Sequence, residues 1–220
     1  ALIAAARAEA AGIGIVAVTG PGSLGRIAPY ARAIASAGLV GLIAVGSPPL
    51  VAPHGGNAAA LGTNPVATGI PTSTTPIVVD ASSSLLTKGR WGELRARGEQ
   101  VPDGVASDAD GAVTRDAELV RACLPRGGAF GSAMGIVVEM IVNGLTGSLG
   151  SSRERRSASV VALRSLEIDA PLTTVGDDLR ARLEAAGGHV PGSNTPDAAG
   201  PVSVSTATLQ RLAKIANTAG

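Results

Sequence analysis

The chain has 220 residues, of which 45% are hydrophobic and 16% charged, a composition typical of one large or two small folded domains and not of a disordered segment. A formal charge of +1 and only three aromatic residues, Tyr30, Trp91 and Phe130, exclude a general electrostatic field for nucleic acid and an aromatic platform for stacked bases. The single Cys123 cannot form an internal disulfide, and because no secretion signal opens the chain we expect a cytoplasmic protein.

The N-terminal residues 1–11 predict a helix whose apolar face carries Leu2, Ala6 and Ala10. The pattern is that of the middle of a helix and Ala1 is not an initiator methionine, so we expect a natural N-terminal segment to precede it. The β-branched run 13–18 then predicts a buried strand.

The loop after this strand, Gly20-Pro-Gly-Ser-Leu-Gly25, matches the G-x-G-x-x-G pattern of dinucleotide-binding folds. A predicted helix over 27–37 and a strand over 39–45 complete a β-α-β unit. However, Pro21 restricts the tight turn, and positions 45 and 46 are valine and glycine where the pattern needs an acid. We therefore do not expect an ordinary Rossmann site.

Residues 51–71 contain glycine and proline too often for a regular element, and such loops commonly place amides and short side chains around a ligand. A predicted strand over 77–79 ends in Asp80, and three serines follow at 82–84. These hydroxyls either cap a helix that begins near Leu85 or contribute to a binding site.

Two acidic features have alternative interpretations. Asp108, Asp110 and Asp116 lack the spacing of a calcium-binding loop, so they predict a polar turn and no metal site. Glu139 interrupts an apolar helix predicted over 132–145 and is either a structural hydrogen-bonding residue or a site residue. The apolar stretch 133–142 is shorter than the roughly 20 residues that span a bilayer, so no membrane segment is expected.

The C-terminal part begins with an arginine cluster, Arg153, Arg155 and Arg156, which is either a solvated loop or a phosphate contact. Beyond it, the sequence predicts a strand over 160–168 and helices over 176–186 and 205–216.

Several short motifs follow one another within residues 1–150. They are Pro53-His-Gly-Gly56, Leu61-Gly-Thr-Asn-Pro65, Asp80-Ala-Ser-Ser-Ser84, Lys88-Gly89, Asp108-Ala-Asp-Gly111, Gly127-Gly128 and Glu139. In order and spacing they resemble the malate/L-lactate dehydrogenase family of NAD(P)-dependent oxidoreductases, with a weaker match at 190–193. The resemblance implies an α/β (α+β) fold of non-Rossmann type, in which a largely antiparallel mixed sheet is flanked by helices. It also implies a homodimer, with residues 1–150 as the cofactor-binding core and 151–220 completing the fold.

The resemblance also assigns site residues. Cofactor contacts are implied at Ser47, Asp80, Ala81, Ser82, Phe130, Gly192 and Ser193, and substrate contacts at Thr63 and Asn64. The carboxylate of Asp80 can accept hydrogen bonds from ribose hydroxyls, and Ser82 and nearby amides can donate to phosphate oxygens.

Two positions depart from the family pattern. Ser23 stands where the family usually has the histidine that exchanges the substrate proton, and Phe130 stands where it usually has a lysine. A serine hydroxyl is a poor base near neutral pH. His54 is therefore a candidate substitute proton carrier, with a loop histidine that packs or binds water as the alternative.

The leading hypothesis is an oxidoreductase that transfers a hydride between NAD or NADP and a small 2-hydroxy or 2-keto acid. The alternative is a catalytically degenerate relative that binds a dinucleotide or keto acid without turnover. No nucleic-acid or membrane partner is expected.

Overall fold

The computed structural model describes residues 1–20, 24–147, 156–165 and 171–193. Its elements follow the order α1 (Leu2–Ala11), β1 (Ile13–Thr19), α2 (Ala28–Ser36), β2 (Val40–Gly46), β3 (Val66–Ile70), β4 (Ile77–Ala81), α3 (Lys88–Ala96), β5 (Ala106–Ser107), β6 (Ala122–Cys123), α4 (Ala129–Thr146), β7 (Ser157–Leu163) and α5 (Leu172–Ala185). Ser23, Arg153, Arg155 and the helix predicted over 205–216 lie outside the described residues.

A five-stranded sheet in the order β1-β7-β2-β3-β4 forms the centre of the fold, and every neighbouring pair is antiparallel. Since β1 and β2 both pair with β7, they run parallel to each other on either side of it, joined through α2. The predicted β-α-β unit is therefore present but split by a strand from the C-terminal part of the chain. The predicted antiparallel sheet flanked by helices is confirmed, and β7 ends at Leu163, earlier than the predicted 168.

Helices α1 and α2 cover one face of the sheet and approach it closely at glycines. A Cβ at Gly14 would overlap the carbonyl oxygen of Ala4, and one at Gly69 would overlap that of Ala31. The helix α1 was predicted correctly, but the face that it buries was not. Ala4 and Ala8 are buried, whereas Leu2, Ala6 and Ala10, the residues predicted to form the apolar face, are exposed. Because even a Cβ would overlap the helix backbone, only glycine fits at the two strand positions 14 and 69.

Helix α4 covers the opposite face, where Val138 and Val142 pack with Ala44. A second cluster lies beneath α3 and the short β5-β6 ladder and includes Val51, Leu94 and Val101. The buried hydrophobic residues of the described chain are aliphatic or Cys123, because Tyr30 and Phe130 are exposed and Trp91 is half-buried.

The serines at 82–84 do not cap a helix, which corrects one of the two alternatives for them. Helix α3 begins later than expected, and its N-cap is Thr87, whose side chain accepts a hydrogen bond from the Arg90 amide at 3.2 Å. Ser82 instead donates to the carbonyl oxygen of Thr63, and Ser84 donates to that of Leu86. The start of the helix was misplaced because serine and threonine are both common N-cap residues, and the preceding serines are the better caps by sequence alone.

The aspartates at 108–116 form the predicted polar turn. The Asp108 carboxylate accepts hydrogen bonds from the amides of Asp110 and Ala112, both at 3.0 Å, and the Asp116 carboxylate accepts one from the Glu118 amide. Such local bonds to the backbone are what aspartate provides in turns.

Helix α4 has 18 residues and is long and apolar enough to cross a membrane by length and composition alone. It extends four residues beyond each end of the apolar stretch 133–142. A helix packed in the core of a protein passes the same test.

Candidate functional site

A cleft of about 1020 Å³ opens at one edge of the five-stranded sheet. At this edge β2 and β4 end and β3 and β7 begin, because neighbouring strands are antiparallel. The cleft is lined by residues from these strand ends, from the chain before α2, from the first turn of α3 and from the loop before α4. Sheet topology therefore brings seven separate parts of the chain to one place.

Five of the residues predicted to contact cofactor or substrate line this cleft. They are Ser47, Thr63, Asp80, Ala81 and Ser82. The hydroxyls of Ser47 and Thr63 lie 3.1 Å apart in a hydrogen bond, and the Ser82 hydroxyl donates to the Thr63 carbonyl oxygen at 2.8 Å. The ends of β2 and β4 are thus joined through Thr63.

Asn64 does not line the cleft but is buried behind the residues that do, and its side chain is hydrogen-bonded to one of them, Ser47. It is 1% exposed, and its side-chain oxygen accepts a hydrogen bond from the Ser47 amide at 3.2 Å. Its side-chain nitrogen donates to the Gly135 carbonyl oxygen at 2.9 Å and to Glu139 Oε1 at 3.1 Å. Asn64 therefore connects the end of β2 to helix α4.

Glu139 completes the same network. Its Oε1 also accepts a hydrogen bond from the Gly62 amide at 2.9 Å, so one carboxylate oxygen binds two donors of the loop before β3. Of the two interpretations of this acid, the structural hydrogen-bonding role is the one observed. The bonds compensate for withdrawing a carboxylate from water.

Asp80 lies at the N-terminus of α2. Its Oδ2 accepts a hydrogen bond from the Ala28 amide, the first residue of that helix, at 3.0 Å. A negative charge is favourable there because the helix dipole and the unpaired amides are positive at this end. This hydrogen bond fixes the Asp80 carboxylate beside residues 24–27, which border the cleft.

Cationic side chains are the part of the site that sequence reasoning missed. The cleft is lined by Arg26, Lys88, Arg90, Arg126 and Arg156 against only two acids, Asp80 and Glu93. Only Arg156 belonged to a segment considered for phosphate contact. Lys88 and Arg90 both lie in the first turn of α3, but Arg26 and Arg126 come from positions distant in sequence, and no local pattern connects these segments.

Arg126 is held in a defined orientation. Its Nε donates to the Ser82 carbonyl oxygen at 3.1 Å and its Nη2 to the Ser84 carbonyl oxygen at 3.2 Å. The backbone amide of the same residue donates to the Ser83 carbonyl oxygen at 2.8 Å. The serine segment therefore serves to fix this guanidinium beside the end of β4.

The remaining predicted site residues that fall within the described ranges are not among those that line the cleft. His54 is exposed in the loop beside Gly128, and its backbone amide donates to the Ser132 hydroxyl at 2.7 Å. Phe130 is 69% exposed on α4. The turn with Gly192 and Ser193 is bound to β4 and α2 through two hydrogen bonds, from the Val78 amide to the Pro191 carbonyl and from Arg32 to the Gly192 carbonyl. The roles of these residues stay predictions, as does that of Ser23.

Comparison with known proteins assigns the chain to a family. The family model for malate/L-lactate dehydrogenase matches residues 2–209. A malate dehydrogenase of Pyrococcus abyssi is 39% identical over 136 residues, which is 60% of this chain and 37% of that protein. A Δ1-pyrroline-2-carboxylate reductase of Agrobacterium fabrum is 37% identical over 150 residues, 67% of this chain and 44% of that protein.

Among solved structures, a Δ1-piperideine-2-carboxylate reductase from Pseudomonas syringae superposes with a TM-score of 0.84 at 27% identity, covering 96% of this chain and 70% of that one. The sequence matches span about two-fifths of these curated relatives. Because the family model covers nearly the whole sequence, the chain belongs to the malate/L-lactate dehydrogenase family.

Proposed function

We propose that this protein is an oxidoreductase that transfers a hydride between NAD or NADP and a small 2-hydroxy or 2-keto acid. The observation that supports this best is the cleft in which Ser47, Thr63 and residues 80–82 come together. Its volume is at the upper end of the roughly 300–1,000 Å³ typical of ligand sites, large enough for a dinucleotide together with a small acid.

The cofactor would be held both by hydrogen-bond donors, which suit its phosphates, and by a carboxylate, which suits its ribose hydroxyls. The backbone amides of Lys88 and Gly89 begin α3 and have no partner within that helix, so they suit phosphate oxygens. The second oxygen of Asp80 would accept from ribose hydroxyls. The Ser82 hydroxyl was expected to donate to a phosphate oxygen, but its proton is already donated to the Thr63 carbonyl oxygen. Ser82 would therefore contribute by holding Thr63 in place.

The substrate carboxylate needs a positioned cation, and Arg126 is the best held of those in the cleft. Thr63 would donate to the substrate beside it. Bound nicotinamide supplies or accepts the hydride. A protein group must then hold the hydroxyl proton, and His54 and Ser23 stay the candidates for that step.

The proposal includes a dinucleotide site of non-Rossmann type. A Rossmann site lies at the switch point of a mainly parallel sheet, whereas here the cleft lies at one edge of an antiparallel one. The division into a cofactor-binding core, 1–150, and a completing part, 151–220, stays a prediction. In that division, the second part contributes β7 between β1 and β2.

A homodimer is a further part of the proposal, supported by helix α4. Its outward side carries a stripe of exposed apolar residues at helical spacing: Phe130, Met134, Val137, Ile141 and Leu145. A contiguous apolar surface of this kind usually contacts another protein surface. A cytoplasmic location completes the proposal, since the expected cofactors are intracellular metabolites.

One observation favours the alternative of binding without turnover. No histidine is among the cleft-lining residues within the described ranges, so no imidazole faces the cleft there. A relative that binds a dinucleotide or keto acid for regulation or assembly would need the cleft but not the proton carrier.

The test combines binding with turnover. Nicotinamide fluorescence measures the Kd of NADH and NADPH, and the absorbance of the reduced cofactor follows turnover with malate, lactate, sulfolactate and Δ1-pyrroline-2-carboxylate. We expect binding and turnover of at least one of these acids. Cofactor binding without turnover of any acid would support the degenerate alternative. Absence of cofactor binding would refute the oxidoreductase and leave only the form of the alternative that binds a keto acid alone.

A variant connects the test to the cleft. Thr63→Val removes one hydroxyl, and we expect it to lower kcat/KM by about tenfold or more while the cofactor Kd changes less than about twofold. Thr74→Val is the matched control, because Thr74 is exposed in the turn before β4 and does not line the cleft. Equal effects of the two substitutions would argue against Thr63 as a substrate contact.

A further inference from the structure

The charge of the cleft points to a dinucleotide with a third phosphate group, so we infer that the site prefers NADP(H) to NAD(H). This inference rests on the proposed dinucleotide site and specifies its ligand. The evidence for it is the position of the cationic side chains that line the cleft, among them Arg26, Lys88 and Arg156 from three different segments of the chain.

The cleft concentrates positive charge that the chain as a whole lacks. Five cationic side chains and two carboxylates line it, an excess of three positive charges, whereas the net formal charge of the whole chain is +1. The pyrophosphate of NAD(H) carries about two negative charges, and the additional phosphate of NADP(H) adds about 1.5 to 2 more at pH 7. The second ligand therefore matches the cleft better.

The cations are not neutralised by their neighbours. Arg90 lies 3.4 Å from Glu93, but within the described ranges Arg26, Lys88 and Arg156 form no ion pair with an acid. Like charges gathered at one cleft repel each other and destabilise the folded state. Binding an anionic group would relieve that repulsion, which makes the cluster selective for the more highly charged ligand.

The two acids of the cleft oppose binding of the additional phosphate only weakly. For NADP(H), Asp80 would face the nicotinamide ribose, whose hydroxyls are free, because a carboxylate beside the phosphorylated adenosine ribose would repel its phosphate. The Asp80 carboxylate is bound at the N-terminus of α2 through the Ala28 amide, so the positive end of that helix offsets part of its charge. Glu93 is beside Arg90. Arg126 is engaged with the backbone of the serine segment, which leaves Arg26, Lys88 and Arg156 as the candidates to contact the additional phosphate.

Guanidinium groups are well suited to that contact. Arginine offers several N–H donors in a planar fork that matches phosphate oxygens, and a charge-assisted hydrogen bond is about twice as strong as a neutral one. Arg26 precedes α2, Lys88 begins α3 and Arg156 precedes β7. The three candidates therefore belong to different segments of the cleft lining, and single substitutions can separate their contributions.

The experiment measures the Kd of NADPH and NADH by nicotinamide fluorescence at low and at physiological salt. We expect NADPH to bind at least about tenfold more tightly, the effect of one hydrogen bond to a charged group, and expect the ratio to fall as salt rises. In competition, 2′,5′-ADP should displace NADPH better than 5′-AMP does, because these two probes differ only in the additional phosphate.

Charge variants identify the cations. Arg26→Gln, Lys88→Gln and Arg156→Gln each keep a polar side chain, and at least one should weaken NADPH binding by about tenfold. For Arg26→Gln and Arg156→Gln the effect on NADH should be less than about twofold, whereas Lys88→Gln should weaken NADPH binding more than NADH binding, since Lys88 is also proposed to lie at the pyrophosphate. Arg97→Gln is the control, since Arg97 follows α3 and does not line the cleft.

The outcomes separate the inference from the proposed function. Equal affinity for both cofactors, tighter binding of NADH, or equal displacement by the two nucleotides overturns the preference while the dinucleotide site stands. If neither cofactor binds a folded protein, the dinucleotide site itself is refuted and the preference with it.

Discussion

Asn64 adopts a φ of 39°, in the left-handed region that asparagine, aspartate and glycine tolerate better than other residues. It is the only non-glycine residue of the described ranges with a positive φ. The side chain uses both its oxygen and its nitrogen in hydrogen bonds. Backbone conformation and side-chain bonding at this one residue therefore both determine how Ser47 and Thr63 face the cleft.

We predict that Asn64→Ala lowers the free energy of unfolding by about 2–4 kcal/mol, because alanine is strained at positive φ and leaves buried donors and acceptors unpaired. Asn64→Gly removes the strain but also loses the hydrogen bonds, so it should cost less than the alanine variant. Urea denaturation of the three proteins measures this. If alanine and glycine were equally destabilising, strain would have no part in the role of Asn64.

Cys123 predicts a pH dependence of stability. Burial raises the pKa of this thiol from its ordinary 9.0 to about 11, so the native state keeps the proton at a pH where the unfolded chain releases it. This contribution to stability is fully present below pH 9 and is lost as the pH rises from about 9 to 11. Unfolding free energies measured across this range should fall more steeply for the native protein than for Cys123→Ala. Parallel curves would contradict the prediction.

At the scale of elements, the fold depends on how closely helices approach the sheet. Helix α2 contacts the central strands through Ala31 and Ile34, and opposite them lie Gly41 and Gly69, which are paired across β2 and β3. Each missing side chain lets a helix backbone lie directly on the strands. This short distance places the N-terminus of α2 beside Asp80 and so forms one border of the cleft.

We predict that Gly69→Ala destabilises the protein by about 2 kcal/mol or more, since its Cβ would overlap backbone atoms that cannot move independently. Gly144→Ala is a matched control: that glycine is within α4 and a Cβ there meets no other atom within 4 Å. It should be neutral or stabilise by up to about 1 kcal/mol, because alanine favours helix. Thermal unfolding compares the two, and equal shifts in Tm would refute the close-packing explanation.

At the scale of the whole molecule, helix α4 has two roles on two sides. Its buried side packs on Ala44 and binds the loop before β3 through Glu139, so it supports the cleft. Its other side exposes the apolar stripe from Phe130 to Leu145. The proposed homodimer would use that stripe and would then couple association to the shape of the cleft.

We predict that Val137→Glu reduces self-association, because it places a charge in the middle of the stripe, where Val137 is 46% exposed. Light scattering coupled to size-exclusion chromatography measures the mass over a range of concentrations. Glu99→Lys, an exposed change after α3, is the control and should leave the mass unchanged. A native protein that is monomeric at every concentration would exclude the homodimer.

Periodicity and turn residues predicted α2, β1 and β2 to within a few residues, as well as the aspartate turn at 108–116. They failed at α1, whose buried face is decided by the closeness of Gly14, and at α3, where Thr87 and not the preceding serines is the cap. Of the candidate site, the family resemblance provided Ser47, Thr63 and residues 80–82, which do line one cleft. Roles assigned to Ser23, His54 and Phe130 stay predictions.

The sequence by itself determined most of the strands and helices, that the core is aliphatic, and which family the motifs resemble, because these depend on local patterns and on composition. It did not predict β3 (Val66–Ile70), which lies in the stretch 51–71 that was expected to form no regular element. Only the tertiary structure decided that β7 separates β1 from β2, that Glu139 binds Asn64, and that five cations from four separate segments meet at one cleft. The physical reason is that strand order and charge proximity arise from contacts between remote segments. A net charge of +1 therefore excluded a field around the molecule but not a strongly positive site within it.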